Sequence, residues 1–218
     1  MAFEVLDEHE QGELVRKWLR ANTFSILVGI GIGLLLIFGY QQWQARTAQT
    51  RGEAAMQFES FVEAVDAERH DDAKRIAQTL REEFAKSPYA VFASLSEADS
   101  AVSKGDLAAA GAALEQAAQL ASDPTVKSLI AIRQARVKLA LDDADGALKL
   151  LDGVKKTDYP ALAGELRGDV LAKLGRGEDA RAAYTEALTH LDMQSPNRSF
   201  VEMKLGNLSA PAVEKQPS

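Results

Sequence analysis

Residues 168–188 read GDVLAKLGRGEDARAAYTEAL, and the placing of their small, aliphatic and aromatic side chains decides the fold. Gly168, Leu171, Gly175, Ala180, Tyr184 and Ala187 stand at offsets 0, 3, 7, 12, 16 and 19. The spacing is helical on both sides of a break at Gly175–Arg176–Gly177. Gly168 and Ala180 are small where the two helices of a pair cross. Leu171, Tyr184 and Ala187 seal the pair and its neighbour. Gly175 helps to end the first helix.

This unit resembles the tetratricopeptide repeat: five of that family's small and aromatic positions are in register, and a leucine fills the sixth. The family's tryptophan position falls on Gly164 and its closing proline on Asp192. Weaker copies precede it. Ala135 and Ala147 occupy the two crossing positions 33 residues earlier, and Ala98 and Ala110 do so a further 37 residues back. In the latter copy Gly105, Leu114 and Ala117 keep the remaining register. A first pair, about 53–68 and 71–86, keeps Ala73 but has Phe61 where a small residue is expected. Ser87–Pro88, Asp123–Pro124, Tyr159–Pro160 and Ser195–Pro196 each start a new first helix, with Ser or Asp as N-cap in three. The expected fold is all-α. Residues 46–208 form a short right-handed α-solenoid of about four helical hairpins plus a last helix over 196–208, and the polar tail 209–218 is disordered.

The rest of the composition suits this. The chain has 218 residues, net charge −7, 46% hydrophobic residues and 6% aromatic residues. Much of the apolar content is alanine, a strong helix former. There are no cysteines, which excludes disulfide scaffolds, thiolate zinc sites and cysteine nucleophiles. His9, His70 and His190 are scattered, so no metal or other cofactor is expected. An acidic chain without a basic stripe argues against nucleic-acid binding.

Upstream, residues 28–40 read VGIGIGLLLIFGY within a stretch, Ala21 to Ala45, that has no charged residue. Flanking neutral residues extend its apolar part to the ~20 needed to cross a bilayer core. Trp18 precedes it, and Tyr40 and Trp43 follow, where amphipathic rings favour the interfaces. The glycines do not make a phosphate loop: GxGxxG is broken by Leu34, and no Gly-Lys pair follows. No small-x-small site permits signal cleavage. Residues 21–45 therefore read as an uncleaved transmembrane helix. Arg16, Lys17 and Arg20 outnumber Arg46 and Arg51, which keeps the N-terminus cytoplasmic and exports residues 46–208. Ser25, Gly29 and Gly33 recur every four residues along one face, a surface for close helix contact. Glycine is also common in membrane helices generally, and Gly31 and Gly39 lie off the stripe. Residues 1–20 form an acidic amphipathic segment around Leu14, Val15, Trp18 and Leu19, suited to a protein contact or to simple solvation.

No acid, base, nucleophile or metal set converges, so an enzyme with a small-molecule substrate is not expected. Asp142, Asp143 and Asp145 cluster at a helix–helix turn, where acids cap the next helix.

The order of elements is similar to that of the bacterial YfgM-like proteins, ancillary subunits of the SecYEG translocon. The likeness rests on Glu8 and Glu10, Lys17–Trp18, Asn22, Gly29 and Gly33, Gly39–Tyr40, and the closing FVEMKLGNLSA at 200–210. Gly206–Asn207 replaces an acidic residue usual before the final leucine. The resemblance implies a single-pass bacterial inner-membrane protein beside the translocon, with a periplasmic repeat domain. It also implies association with a membrane-anchored periplasmic chaperone of the prolyl-isomerase type. By repeat register, Phe92, Leu95, Asp99, Ile132, Arg136, Leu139, Glu165 and Asp169 line a partner groove on the first helices. For the apolar members the alternative is inter-helix core. The function read from this is a non-enzymatic, membrane-tethered adaptor linking exported proteins to periplasmic chaperones. The alternatives are another envelope scaffold (division, outer-membrane assembly or cytochrome maturation) or a regulator acting through the cytoplasmic head.

Overall fold

Side-chain size at the helix crossings and backbone handedness at the turns organise the protein. The structure, a computed structural model, describes residues 8–208, so the first residues of the acidic head and the tail 209–218 lie outside it. Among the described residues every regular element is helical. They are α1 (Glu8–Asp66), α2 (His70–Glu83), α3 (Pro88–Ser103), α4 (Leu107–Leu120), α5 (Pro124–Ala140), α6 (Ala144–Asp152), α7 (Pro160–Lys173), α8 (Gly177–Thr189) and α9 (Pro196–Asn207). The chain divides into two compact units between Glu53 and Ala54, inside α1.

The first unit carries the apolar run. Helix α1 is long and apolar enough to cross a membrane. At 1.5 Å per residue, residues 21–45 span roughly 37 Å, against a hydrocarbon core of ~30 Å. Phe24, Leu35 and Phe38 all face outward. The polar residues at its ends bond back to their own helix: Asn22 Nδ2 donates to the Trp18 carbonyl at 2.9 Å and Thr23 Oγ1 to that of Leu19 at 2.6 Å. Thr47 Oγ1 donates to the Trp43 carbonyl at 2.8 Å. Such bonds hide polar groups where water is scarce.

In the second unit, helices pair through short turns and each pair packs on the next. The four intra-pair turns are built alike. Glu68, Gly105, Asp142 and Gly175 adopt positive φ values of 55°, 76°, 66° and 73°. After each, the next residue's N–H reaches back five residues: Arg69 to Ala64, Asp106 to Ala101, Asp143 to Lys138 and Arg176 to Leu171, at 2.8–2.9 Å. This is the Schellman closure. The turn residues keep the 37-, 37- and 33-residue intervals of the repeats, so the atypical first pair is in register too.

The helix starts follow the sequence reading closely. Ser87 accepts from Tyr89 N–H, and Asp123 accepts from Thr125 and Val126 N–H, each before a proline at the first turn. Ser195 makes no side-chain cap bond, and Tyr159 opens α7 from a left-handed conformation. Asp143 caps α6 through Gly146 N–H and pairs with Lys138 at 2.7 Å. The bonds from Lys138 and Gly146 hold its carboxyl below the ordinary value. The acidic cluster at 142–145 thus serves the turn.

Each buried cluster joins three successive helices. Phe61, Ala64, Ala73, Leu80 and Ala90 unite the end of α1 with α2 and α3. Ala98, Ala110, Leu114 and Ile130 join α3, α4 and α5. Ala135, Ala147, Leu151 and Val170 join α5, α6 and α7. Leu171, Ala180, Tyr184 and Val201 join α7, α8 and α9. Every pair is thus completed by the helix that follows it, the nearest-neighbour logic of repeat proteins. The tightest crossing is at Gly168, which lies beneath the Tyr184 ring; a Cβ there would overlap that ring. Gly164 likewise approaches Ala187, whose Cβ would be 3.1 Å from a Cβ at 164.

Overpacking at that crossing makes Gly168→Ala destabilising by about 1–3 kcal/mol. Glu68→Gly releases a left-handed strain and stabilises by about 1 kcal/mol. Chemical denaturation of the detergent-solubilised full chain measures both, and the signs should be opposite.

Candidate functional site

The first helices of the pairs are α1 (from Ala54), α3, α5 and α7, and their exposed surface changes in chemistry from pair to pair. At the N-terminal end it is aromatic. Phe58 stacks on Phe61 at 5.9 Å and on Tyr89 at 5.2 Å between ring centroids, and it meets Phe92 at 6.1 Å. Phe92 remains 45% exposed, and Val62, Val65 and Val102 also face outward. Phe92 adjoins the half-buried Phe58 and Tyr89, and aromatic exposure of this kind marks interaction surfaces in soluble domains.

The structure sorts the eight groove candidates into distinct places. Phe92, Asp99 and Arg136 are exposed. Asp99 is held by Arg133 of α5, whose Nη1 reaches both carboxylate oxygens at 3.1 Å. Leu95 and Ile132 belong to the core, Ile132 being only 1% exposed. Their helix position faces the adjoining pair, and apolar side chains close into that seam. Leu139 is half-buried against the same core as Ile132. Glu165 and Asp169 are brought together by a residue the sequence did not single out. Lys204 of α9 donates to Glu165 Oε1 and Asp169 Oδ2, each at 2.7 Å.

That contact belongs to a network. Tyr184 donates its hydroxyl proton to Asp169 Oδ1 at 2.7 Å. Burial, and then the hydrogen bond to Asp169, push the Tyr184 phenol above its ordinary value. Burial alone would lower the Lys204 ammonium, but the bonds to Asp169 and Glu165 outweigh it and hold its pKa above the usual lysine value. Arg198 completes the attachment by donating to the carbonyls of Leu188, in the last turn of α8, and Leu191, just beyond it, at 3.2 and 3.0 Å. Val201 is fully buried beneath. Helix α9 therefore caps the stack through Val201, the partly buried Leu205 and two cations, and it covers Glu165 and Asp169. Repeat register could have pointed to Phe58, one turn before Phe61. Nothing in the pattern could have found Lys204, which lies outside the repeats.

Ser25, Gly29 and Gly33 lie on α1 in the first unit, and no atom comes within 4 Å of a Cβ built on either glycine. Among the described residues, no group of three or more histidine, aspartate or glutamate side chains is arranged to hold a metal ion.

Stacked helix pairs with small crossings and a shared turn define a repeat protein of the tetratricopeptide class. A family model described as a tetratricopeptide repeat-like domain matches residues 16–210. The ancillary SecYEG translocon subunit of Escherichia coli K12 is 31% identical over 203 residues, covering 93% of this chain and 97% of that relative. The proteins of the same name from Haemophilus influenzae and Neisseria gonorrhoeae are 30% identical over 211 residues and 27% over 197 residues. They cover 95% and 88% of this chain, and 100% and 89% of their own lengths. The chain belongs to this family of tetratricopeptide-like ancillary translocon subunits.

Replacing Lys204 by methionine leaves Glu165 and Asp169 facing each other without their shared cation. Stability should fall by about 1–3 kcal/mol, the usual scale for hydrogen bonds to charged groups. Amide exchange should rise first in α9. Because the folded-state pKa of Lys204 is raised, its contribution is complete below the ordinary lysine value of about 10.4. It is lost only as pH climbs through the raised value. Alkaline titration should release α9 in the native protein and have no such effect in Lys204→Met.

Proposed function

We propose that the chain is a non-enzymatic, membrane-anchored adaptor that works beside the SecYEG translocon of a bacterial inner membrane. Residues 21–45 are the span, residues 1–20 stay cytoplasmic, and the repeat domain over 46–208 faces the periplasm. There it brings emerging exported proteins together with a membrane-anchored chaperone of the prolyl-isomerase type. The family relationship carries the translocon part of this reading. The apolar helix supports the anchor, and the half-exposed aromatic face around Phe58 and Phe92 supports a protein-binding role. Tethering confines encounters to a thin layer at the membrane and raises the effective concentration of partners anchored there. Within the groove, the candidates left accessible are Phe92, Asp99 and Arg136, joined by Phe58. Along the span, Ser25, Gly29 and Gly33 form the proposed helix-contact face.

Affinity isolation of the full chain from membranes in mild detergent tests the reading. Translocon subunits should co-purify, and their absence would overturn it in favour of another envelope scaffold. Phe58→Ala with Phe92→Ala should lower recovery of the periplasmic partner roughly tenfold, the scale of losing aromatic anchors, while leaving translocon subunits bound. Gly29→Leu with Gly33→Leu should do the reverse and leave insertion intact. Deleting residues 1–15 should change neither; an effect there would favour regulation through the head.

A further inference from the structure

The first and second helix pairs do not close along their whole length. At one end the stack of Phe58, Phe61, Tyr89 and Phe92 fills the seam. At the other a cleft of about 650 Å³ remains, lined from α1, α2, α3 and α4. Its cause is visible in the residues. Phe61 stands at the crossing position that holds Ala98, Ala135 or Gly168 in the other pairs, and its ring keeps the first pair wide. The opposing wall cannot fill the gap, because α3 offers Ser96, Ser100 and Ser103, and α4 offers Ala109, Ala112 and Ala113.

Two properties of this cleft define what fits. The α4 wall, Ala109, Ala112, Ala113 and Gln116, repeats at i, i+3, i+4 and i+7, a single helical face with three methyl-sized side chains. A second helix can approach such a face closely. An extended chain buried there would find no backbone partners, since the wall helices bond internally; a helix brings its own bonds satisfied. The second property is charge. Two of the rim acids are paired, Glu97 with Arg81 and Asp99 with Arg133, while Asp106 caps Ala109 N–H and keeps its charge. Lys74 and Lys104 line the same cleft beside His70, and neither lysine makes an ion pair among the described residues. The cleft therefore presents an apolar floor under a positive excess, two lysines against the single unpaired carboxylate of Asp106.

We propose that this cleft docks an amphipathic helix of a partner protein, its apolar face against α4 and its flanking aspartates or glutamates on Lys74 and Lys104. The cleft shares Phe61, Val65 and Asp99 with the surface of the first helices and adds to it walls from α2 and α4.

The photoreactive residue p-benzoylphenylalanine, placed singly at Ala109, Ala112 or the exposed control Glu115 of the full chain in its native membranes, tests this. Crosslinks at 109 and 112 should exceed those at 115 and map to one helical segment bearing acidic residues. Lys74→Glu with Lys104→Glu should lower the yield roughly tenfold, because two attractive rim charges become repulsive. Lys74→Arg with Lys104→Arg should retain it. Both lysines are exposed, so an unchanged denaturation midpoint confirms that folding is not the cause. Equal yields at all three sites would overturn the proposal. So would crosslinks to lipid, to a second copy of the chain or to a basic segment, or indifference to charge reversal.

Discussion

The close crossing of paired helices at alanine and glycine is the constraint on which the rest of this structure depends. Ala98 and Ala110, Ala135 and Ala147, and Ala180 are buried at the small positions of their pairs, and Gly168 admits the Tyr184 ring against its backbone. The larger residues beside them then interlock, and each pair exposes an apolar edge that only the next pair can cover. The left-handed turn residue seven positions after each crossing sets the return angle. Two of these positions are glycine; Glu68 and Asp142 accept the conformation at the expense of some strain. The register of the crossings and the geometry of the turns are thus two expressions of one periodicity.

Departures from that periodicity coincide with the places of functional interest. Phe61 widens the first pair, and the widening leaves both an aromatic stack and an open cleft. At the other end of the described residues, α9 covers the edge left by the α7–α8 pair. It does so economically, with Val201 buried, Arg198 on orphan carbonyls and Lys204 between two carboxylates. The face shared by the first helices consequently divides. Its N-terminal part is aromatic and accessible, and its C-terminal part is acidic and already answered by the chain itself.

Much of this was legible beforehand. The four proline-headed helix starts, the crossing residues and the uncharged 25-residue stretch from Ala21 to Ala45 are local patterns, and local patterns report secondary structure and repeat register faithfully. The groove was less legible. Register assigned Leu95 and Ile132 to the same surface as Phe92 and Asp99, yet the first two are enclosed. A position on a helix face says which way a side chain leaves the axis, not how far the neighbouring pair comes in to meet it.

An all-helical chain, an apolar helix able to cross a membrane, and a tetratricopeptide-like repeat with its register can all be read from residue order, because they depend on spacing along a single run of backbone. The seat of Lys204 on Glu165 and Asp169 and the open cleft beside Lys74 and Lys104 arise only once the pairs have packed. Those outcomes depend on distances between residues some 30 to 40 positions apart, set by how closely successive pairs pack. That closeness depends in turn on single side-chain volumes such as that of Phe61.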